Sequence, residues 1–589
     1  MTDSNTFYNT NINKYQAKVS SLYKILTSYS FARLLVFVAT GIGCYFTFGN
    51  WQLFIGVLLV GIILFIYLLS KHTDLKKKYT LKKALVAINE EELKIASGDF
   101  FHKNEGLQFH DPNHNYALDI DLFGRGSFFQ FIDRTSIESG KLTLANALKA
   151  NNIKDIQSRQ DAIKELASKP DWRQHFQATS SLIKVETEAK TILDFLNTHQ
   201  SFLPALFKWL PMVISIVTLL IIGLAIAKLI PAIMIGYWLF VGLFITGRYV
   251  KKISSLAANT DRMRDTFRQY ALLLNAIETQ TFTSSLLQEK QAKIKLKDKK
   301  ASQILTELSK AMDALDNRNN LISAIFGNGY FLTDLKHTYT IEKWIENYKS
   351  TIDHWFEVVS FFDAYNSFGN YAFNHQNYIY PQIVSENNAT KVTQLGHPLL
   401  KTEKRIDNDF EIKNQEFFII TGANMAGKST FLRTVSLHIV MANVGLPVCA
   451  IASVYSPVKL ITSMRTSDSL TDDSSYFFSE LTRLKYIVDT IKEDNYFIIL
   501  DEILKGTNST DKAIGSRKFV EKLVASHATG IIATHDLSLC EIENQLHEVK
   551  NYYFDAQIID DELYFDYTFK KGVCQNMNAS FLLKKMEIV

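Results

Sequence analysis

The sequence predicts a multidomain fold: an all-α core and lever region carrying two transmembrane helical hairpins, followed by a C-terminal α/β domain. Three observations carry this reading. Residues 34–70 contain no Asp, Glu, Lys or Arg. Residues 209–247 are broken by a single charge, Lys228. After Glu411, short apolar runs alternate with helix-like segments, the texture of an α/β layered domain.

The chain has 589 residues, 47% of them apolar and 21% charged, with a mean hydropathy of -0.02. Such a length suits several units of about 100–200 residues. A net charge of +4 argues against electrostatic wrapping of nucleic acid by the whole chain, though not against a local basic site. Cys44, Cys449, Cys540 and Cys574 form no C-x-x-C pair, so neither a zinc site nor a disulfide framework is expected. Residues 1–30 are polar and lack a signal-peptide pattern; they are expected to be a cytoplasmic N-terminal segment.

Residues 31–70 read as the first hairpin, with its turn at Phe48-Gly49-Asn50. Residues 51–69 would make a helix of about 28 Å, close to the roughly 30 Å hydrocarbon core. Residues 34–47 are short alone and read as spanning through their partner. Residues 206–250 read as the second hairpin, its arms 209–227 and 229–247 divided by Lys228 and Pro231. Buried core helices seldom run so far without a polar face. Lys71, Lys76, Lys77 and Lys78 follow the first hairpin, and Arg248, Lys251 and Lys252 follow the second. The positive-inside rule therefore puts the hairpin ends in the cytoplasm. The expectation is a multi-pass protein of the inner or plasma membrane, with its remaining domains facing the cytoplasm.

Residues 71–205 and 251–390 read as two parts of one helical region, with irregular chain near 100–125. Residues 157–167 carry apolar side chains at helical spacing. Lys290, Lys293, Lys295, Lys297, Lys299 and Lys300 form a basic cluster. It reads as a solvated helix face, or alternatively as a contact for a phosphate backbone or anionic lipid.

Residues 391–589 form the α/β domain. The buried-strand run Phe417-Phe418-Ile419-Ile420 leads into Thr421-Gly422-Ala423-Asn424-Met425-Ala426-Gly427-Lys428-Ser429-Thr430. This satisfies G-x-x-x-x-G-K-[ST] between a strand and a helix. Gly422 and Gly427 let the backbone curl, so that amides from Ala423 to Thr430 and a helix N-terminus can face phosphates. Lys428 can reach β/γ oxygens, and the Ser429 hydroxyl can ligate Mg²⁺. A second strand, residues 496–500, ends in Asp501-Glu502. Asp501 is placed to hold Mg²⁺ through water, and Glu502 to polarise the attacking water. A third strand, residues 530–534, delivers His535 to the γ-phosphate position. This order is that of a P-loop ATPase domain of ABC type, with ATP and Mg²⁺ as its ligands.

The stretch Thr421 to Thr434, TGANMAGKSTFLRT, resembles the P-loop of the MutS family of mismatch-repair ATPases, with Asn424-Met425 as the distinguishing pair. Ser475-Tyr476-Phe477-Phe478-Ser479-Glu480-Leu481 resembles the family's signature helix; the resemblance implies that Ser475 contacts a γ-phosphate across a homodimer. Residues 501–511 resemble its Walker B and D-loop, and Ala533-Thr534-His535 its switch histidine. Upstream, residues 123–148, including Asp133, Thr135 and Gly140, resemble the start of the family's helical core. Residues 395–400 resemble the approach to its ATPase domain. Trp344, Trp355 and residues 363–367 resemble the end of its lever helices.

The departures are equally specific. No Phe-x-Glu wedge or mismatch-reading domain precedes the core, and the second hairpin stands where a DNA clamp would interrupt the lever. No helix-turn-helix follows the ATPase region. Leu504-Lys505 replaces Gly-Arg, Asp473 replaces a glycine, and Arg405 stands where an adenine-stacking aromatic is common. The resemblance therefore implies a membrane-anchored MutS-like ATPase that hydrolyses ATP at a composite dimer interface and moves its lever helices, with DNA binding left open. A membrane-tethered mismatch-repair or DNA-processing protein is the alternative, and half of an ABC-type transporter the third reading.

Overall fold

The computed structural model describes residues 3–183, 187–296, 299–385, 389–465, 476–505, 507–559 and 562–575. The chain is mostly helical, with two larger sheets of mixed direction near its C-terminal end.

The first hairpin is a pair of long helices, Ser4–Phe46 and Trp51–Ala96, of 43 and 46 residues. The turn falls at 47–50 as expected, and the Asn50 side chain caps the second helix by accepting from Leu53 N. Where the helices cross, Gly61 leaves room for Thr40: a Cβ on Gly61 would stand 2.2 Å from Thr40 Oγ1. The middle of the pair exposes large apolar side chains, including Phe37, Val60 and Ile63. Both helices are long and apolar enough to cross a membrane.

At its charged end this hairpin is fixed to the helical body. Tyr8 Oη donates to Asn374 Oδ1 at 2.6 Å, and Asn89 and Gln174 exchange amide hydrogen bonds while buried. Glu92 forms a buried ion pair with Arg134.

The second hairpin is shorter than expected. Its helices are Leu210–Ile226, of 17 residues, and Ile233–Gly247, of 15. At 1.5 Å per residue these are only about 26 and 22 Å long. Six intervening residues, with Lys228 at φ 58° and Pro231, make a wide turn. Beyond Gly247 the chain bends by 66° into the helix Val250–Thr279. Only across that bend does the second arm reach spanning length.

The body is organised around the helix Ile352–Asn374, which is buried along nearly its whole length. It packs on Glu138–Lys149 and Ile156–Ala167. Two distant sequence stretches meet here. The Asp363 carboxylate accepts from the backbone N–H groups of Ser136 and Ile137, and Ser367 Oγ accepts from Arg134 N at 3.0 Å. A Cβ on Gly140 would lie 2.1 Å from Asp363 Oδ2, so only glycine fits under that carboxylate. The segment 97–127 is largely irregular, as its sequence suggests. In the lysine cluster, Lys290 pairs with Glu357 and Lys299 with Glu307, each near 2.9 Å; of its described members only Lys290 lies within the helix Ser285–Ala292, so the cluster is not one helix face. Lys297 lies outside the described residues.

The larger sheet has six strands in the order Lys570–Lys571, Val549–Phe554, Phe417–Gly422, Thr529–Ala533, Tyr496–Asp501 and Lys459–Ser463. All neighbours run parallel except the Lys570–Lys571 edge. Phe417–Gly422 is central and completely buried, which is why it reads as an unbroken apolar run. A four-stranded sheet built from Gln382–Ile383, Ala452–Tyr455, Thr390–Leu395 and Asn408–Ile412 packs nearby.

Candidate active site

Parallel strands present their C-terminal ends on one edge of the sheet, where ligands of open α/β folds bind. Three neighbouring strands deliver the candidate residues to this edge. Phe417–Gly422 leads into the glycine loop and the helix Lys428–Val444. Tyr496–Asp501 ends at Asp501 and Glu502, and Thr529–Ala533 precedes His535.

The loop geometry requires its glycines. Gly427, the residue before the helix, holds φ 104°, a left-handed conformation that a side chain would strain. A Cβ on Gly422 would stand 2.7 Å from the carbonyl oxygen of Phe554. Met425 also holds a positive φ, 68°, with its side chain in solvent. Ala423 and Ala426 are buried beneath the loop.

Lys428 is buried and curls back over the loop: its Nζ donates to the carbonyl oxygens of Gly422 at 2.8 Å and Ala423 at 3.0 Å. Burial lowers its pKa from the ordinary lysine value. The same amine lies 3.3 Å from His535 Nε2. Ser429 Oγ donates to Asp501 Oδ2 at 2.7 Å. Burial pushes the Asp501 carboxyl upward, against the opposing pull of that hydrogen bond.

Glu502 Oε1 stands 2.7 Å from His535 Nε2, and Lys505 approaches the other oxygen at 3.7 Å. The hydrogen bond to His535 holds Glu502 down at about 2. Its backbone is pinned by Glu502 N donating to Ala533 O and sits at φ 51°.

These residues border a cavity of about 640 Å³, in the range of small-ligand sites. The structure thus gathers Asn424, Met425, Gly427, Lys428, Ser429, Thr430, Asp501, Glu502 and His535 around one volume. Ser475 lies outside the described residues. The hydroxyl of Ser429 against the Asp501 carboxylate is a donor set that suits Mg²⁺, which keeps waters and takes few protein ligands beside phosphate oxygens.

Some of the wall escaped the sequence reading. Tyr567, at φ 52°, closes the cavity from the far side, and its ring lies 3.0 Å from where a Gly427 Cβ would be. Its backbone carbonyl accepts from Asn408 Nδ2. His397 and Ile406 line the cavity with it. Arg405 lines it too, but its guanidinium is engaged by both oxygens of Asp407, at 2.6 and 3.0 Å. Glu480 was also unassigned. Buried on the helix Tyr476–Thr490, its carboxylate accepts from Leu504 N and Lys505 N and so clamps the loop after Glu502. Asp119, in the irregular segment, accepts from Thr462 Oγ1, Met464 N and Arg465 N, and joins the helical body to this edge of the sheet. Such partners, from 24 to 346 residues apart, leave no spacing pattern to find.

Residues 418–585 match the MutS domain V family. MutS protein homolog 4 of Homo sapiens is 32% identical over 244 residues, 39% of this chain and 25% of that protein. The DNA mismatch repair protein MutS of Staphylococcus aureus (strain MRSA252) is 28% identical over 235 residues, 39% of this chain and 27% of that protein. The same-named protein of Aquifex pyrophilus is 32% identical over 183 residues, 30% of this chain and 21% of that protein. The matched region spans about a quarter of the length of these curated relatives. Over residues 418–585, therefore, the chain is similar to domain V of the MutS family.

Proposed function

We propose that the chain is a membrane-anchored, Mg²⁺-dependent ATPase that works as a homodimer, with Ser475 of each subunit completing the site of the other. One observation carries this reading: Lys428, the Ser429–Asp501 pair and the Glu502–His535 pair converge on one cavity at the P-loop. On binding, the Lys428 amine exchanges the carbonyls of Gly422 and Ala423 for β/γ-phosphate oxygens. The amides from Ala423 to Thr430 add fixed positive ends toward the same oxygens. Mg²⁺, held by Ser429 and through water by Asp501, would offset charge on the phosphates. Glu502, ionised, orients the attacking water and draws its proton as the new oxygen–phosphorus bond forms. The bond from the γ-phosphorus to the bridging oxygen breaks in line, giving ADP and phosphate. His535 holds Glu502 and senses the γ-phosphate.

Closure of the dimer moves the helical body through contacts such as Asp119 and, through Glu92 and Tyr8, the first hairpin. The apolar hairpins seat the chain in the inner or plasma membrane with the ATPase domain in the cytoplasm. Relatives that carry the name DNA mismatch repair protein support a second reading, in which the motor acts on DNA at the membrane. The test is the ATPase rate of the full chain in detergent, without DNA, with homoduplex and with mismatched duplex. Stimulation by mismatches with a steep salt dependence favours the second reading; no stimulation favours the first. Magnesium-dependent hydrolysis that survives Lys428→Ala and Glu502→Gln unchanged would overturn both.

A further inference from the structure

Residues 319–333 interrupt the helical body with a turn of π-helix, Ser323–Gly327, and a short helix, Asn328–Phe331. From residue 321 on, the outward side chains are large and apolar: Leu321 is 72% exposed, Ile322 69% and Phe326 50%. A soluble face has no need of such a run, and scattered apolar residues would not be consecutive.

The short helix Asn328–Phe331 packs on both helices of the second hairpin. Gly242 and Gly329 make the closest approach: a Cβ on Gly242 would lie 2.1 Å from Gly329 O. Thr218 Oγ1 donates to Tyr330 O at 2.7 Å, and Trp238 Nε1 donates to Thr218 Oγ1 at 2.8 Å. Gly242 lies well inside the helix Ile233–Gly247, and Thr218 at the middle of Leu210–Ile226. Whatever depth the hairpin reaches in a bilayer, residues 328–331 are held against its middle.

Irregular backbone is tolerated in hydrocarbon only where its polar groups are satisfied within protein. That condition is met at the joint. Tyr330 O takes the threonine hydroxyl, and buried Asn328 accepts through Oδ1 from Asp334 N at 2.9 Å and Thr333 Oγ1 at 3.2 Å. Charge returns at the border, where Arg318 donates to Ser254 Oγ on the helix that leaves the hairpin.

We infer that residues 321–331 are a third membrane-embedded element, a re-entrant segment that enters the cytoplasmic side of the bilayer with the second hairpin, its occupant being lipid. The inference rests on the membrane anchoring proposed above. The test uses the full chain carrying Cys44→Ser, the other native thiols being buried, in vesicles of phosphatidylcholine and phosphatidylglycerol. A polarity-sensitive fluorophore is placed on Phe326→Cys, on Leu321→Cys, on Ile63→Cys in the first hairpin, and on Lys310→Cys in the helical body. The expected result is a blue shift and loss of intensity with nitroxide-labelled lipid at residues 321, 326 and 63, with aqueous iodide acting only at residue 310. If residue 63 responds to lipid while 321 and 326 respond to iodide, the inference fails and anchoring stands. If residue 63 also responds only to iodide, the anchoring fails, and the inference with it.

Discussion

Glu502 and His535, which follow neighbouring parallel strands, meet carboxylate to imidazole at 2.7 Å. Lys428 Nζ approaches the same ring nitrogen at 3.3 Å. Glu502, His535 and Lys428 therefore form one cluster, with the Lys428 amine also bonded to the loop carbonyls of Gly422 and Ala423. A glutamine at 502 keeps the shape and removes the charge that would draw a proton from water. Glu502→Gln is expected to lower kcat by about 10²–10⁴-fold while ATP binding, followed by equilibrium dialysis, persists.

The pH profile of the same reaction separates His535 from Glu502. The hydrogen bond to His535 holds Glu502 at about 2, below the ordinary value of 4.5. A depressed carboxylate stays ionised down to that low value, so the wild-type rate has no acid limb from Glu502 above pH 4. With His535→Ala, the main cause of the depression is gone, and burial then pushes the carboxyl upward. The variant is expected to lose activity at a higher pH than the wild type as the solution is acidified, beyond any uniform loss of rate. A profile with an unshifted acid limb would separate the two residues functionally.

The Ser429–Asp501 hydrogen bond predicts a metal dependence. Asp501→Asn keeps the acceptor for Ser429 Oγ but removes the charge that orders waters around Mg²⁺. It is expected to raise the Mg²⁺ concentration for half-maximal hydrolysis about 10–100-fold, measured by titration at saturating ATP. Saturation at the wild-type concentration would remove Asp501 from the metal site.

Glu480 predicts an effect without nucleotide contact. Its carboxylate holds Leu504 N at 2.6 Å and Lys505 N at 3.1 Å, just after Glu502, while Glu502 and Leu504 both sit at positive φ. Glu480→Ala orphans two amides and releases that geometry, at about 1.5–3 kcal/mol for each hydrogen bond to a charged group. The expected outcome is a lower kcat with ATP affinity unchanged, and partial recovery in Glu480→Gln, which retains an acceptor.

What was legible in the sequence is local. The turn at 47–50, the strand leading into the glycine loop, and the acid and histidine ending their strands each follow from a handful of adjacent residues. The physics of turns, buried strands and phosphate loops acts at that range. Glu480, Tyr567 and Asp119 reach the site only through tertiary packing. Their residue types, an acid on a helix, an aromatic near an edge strand and an acid in irregular chain, have many commoner uses. The second hairpin was read from composition, which counts apolar residues but not where a helix stops. Lys228, Pro231 and the bend after Gly247 shorten both arms below the length that the run of letters suggests. Residues 321–331 are too short for a span and carry no helical period, so only their packing against Gly242 and Thr218 marks them.

The ion pair between Glu92 and Arg134 joins the first hairpin to the body. Glu92 belongs to the helix Trp51–Ala96 and Arg134 to the body, and both are buried. Arg134 Nη2 adds a second bond at 3.2 Å, Asn374 donates to the same carboxylate at 3.0 Å, and Tyr8 Oη donates to Asn374. Burial pushes the Glu92 carboxyl upward, but the Arg134 charge and these hydrogen bonds outweigh it and hold it below 4.5. For a depressed carboxylate, the stabilisation is full above the unfolded value and is lost as pH falls through the folded one. Wild-type melting should therefore decline below about pH 4.5, and this part of the decline should vanish in Glu92→Gln. Removing one partner of a buried pair leaves the other charge uncompensated, so Glu92→Gln is expected to cost about 3–5 kcal/mol at pH 7, whereas replacing both partners by Met is near neutral. If the double variant keeps its fold and its ATPase rate yet a spin label at Phe37→Cys no longer responds to ATP, the pair transmits motion. A response equal to wild type would leave Glu92 and Arg134 as a structural bolt alone.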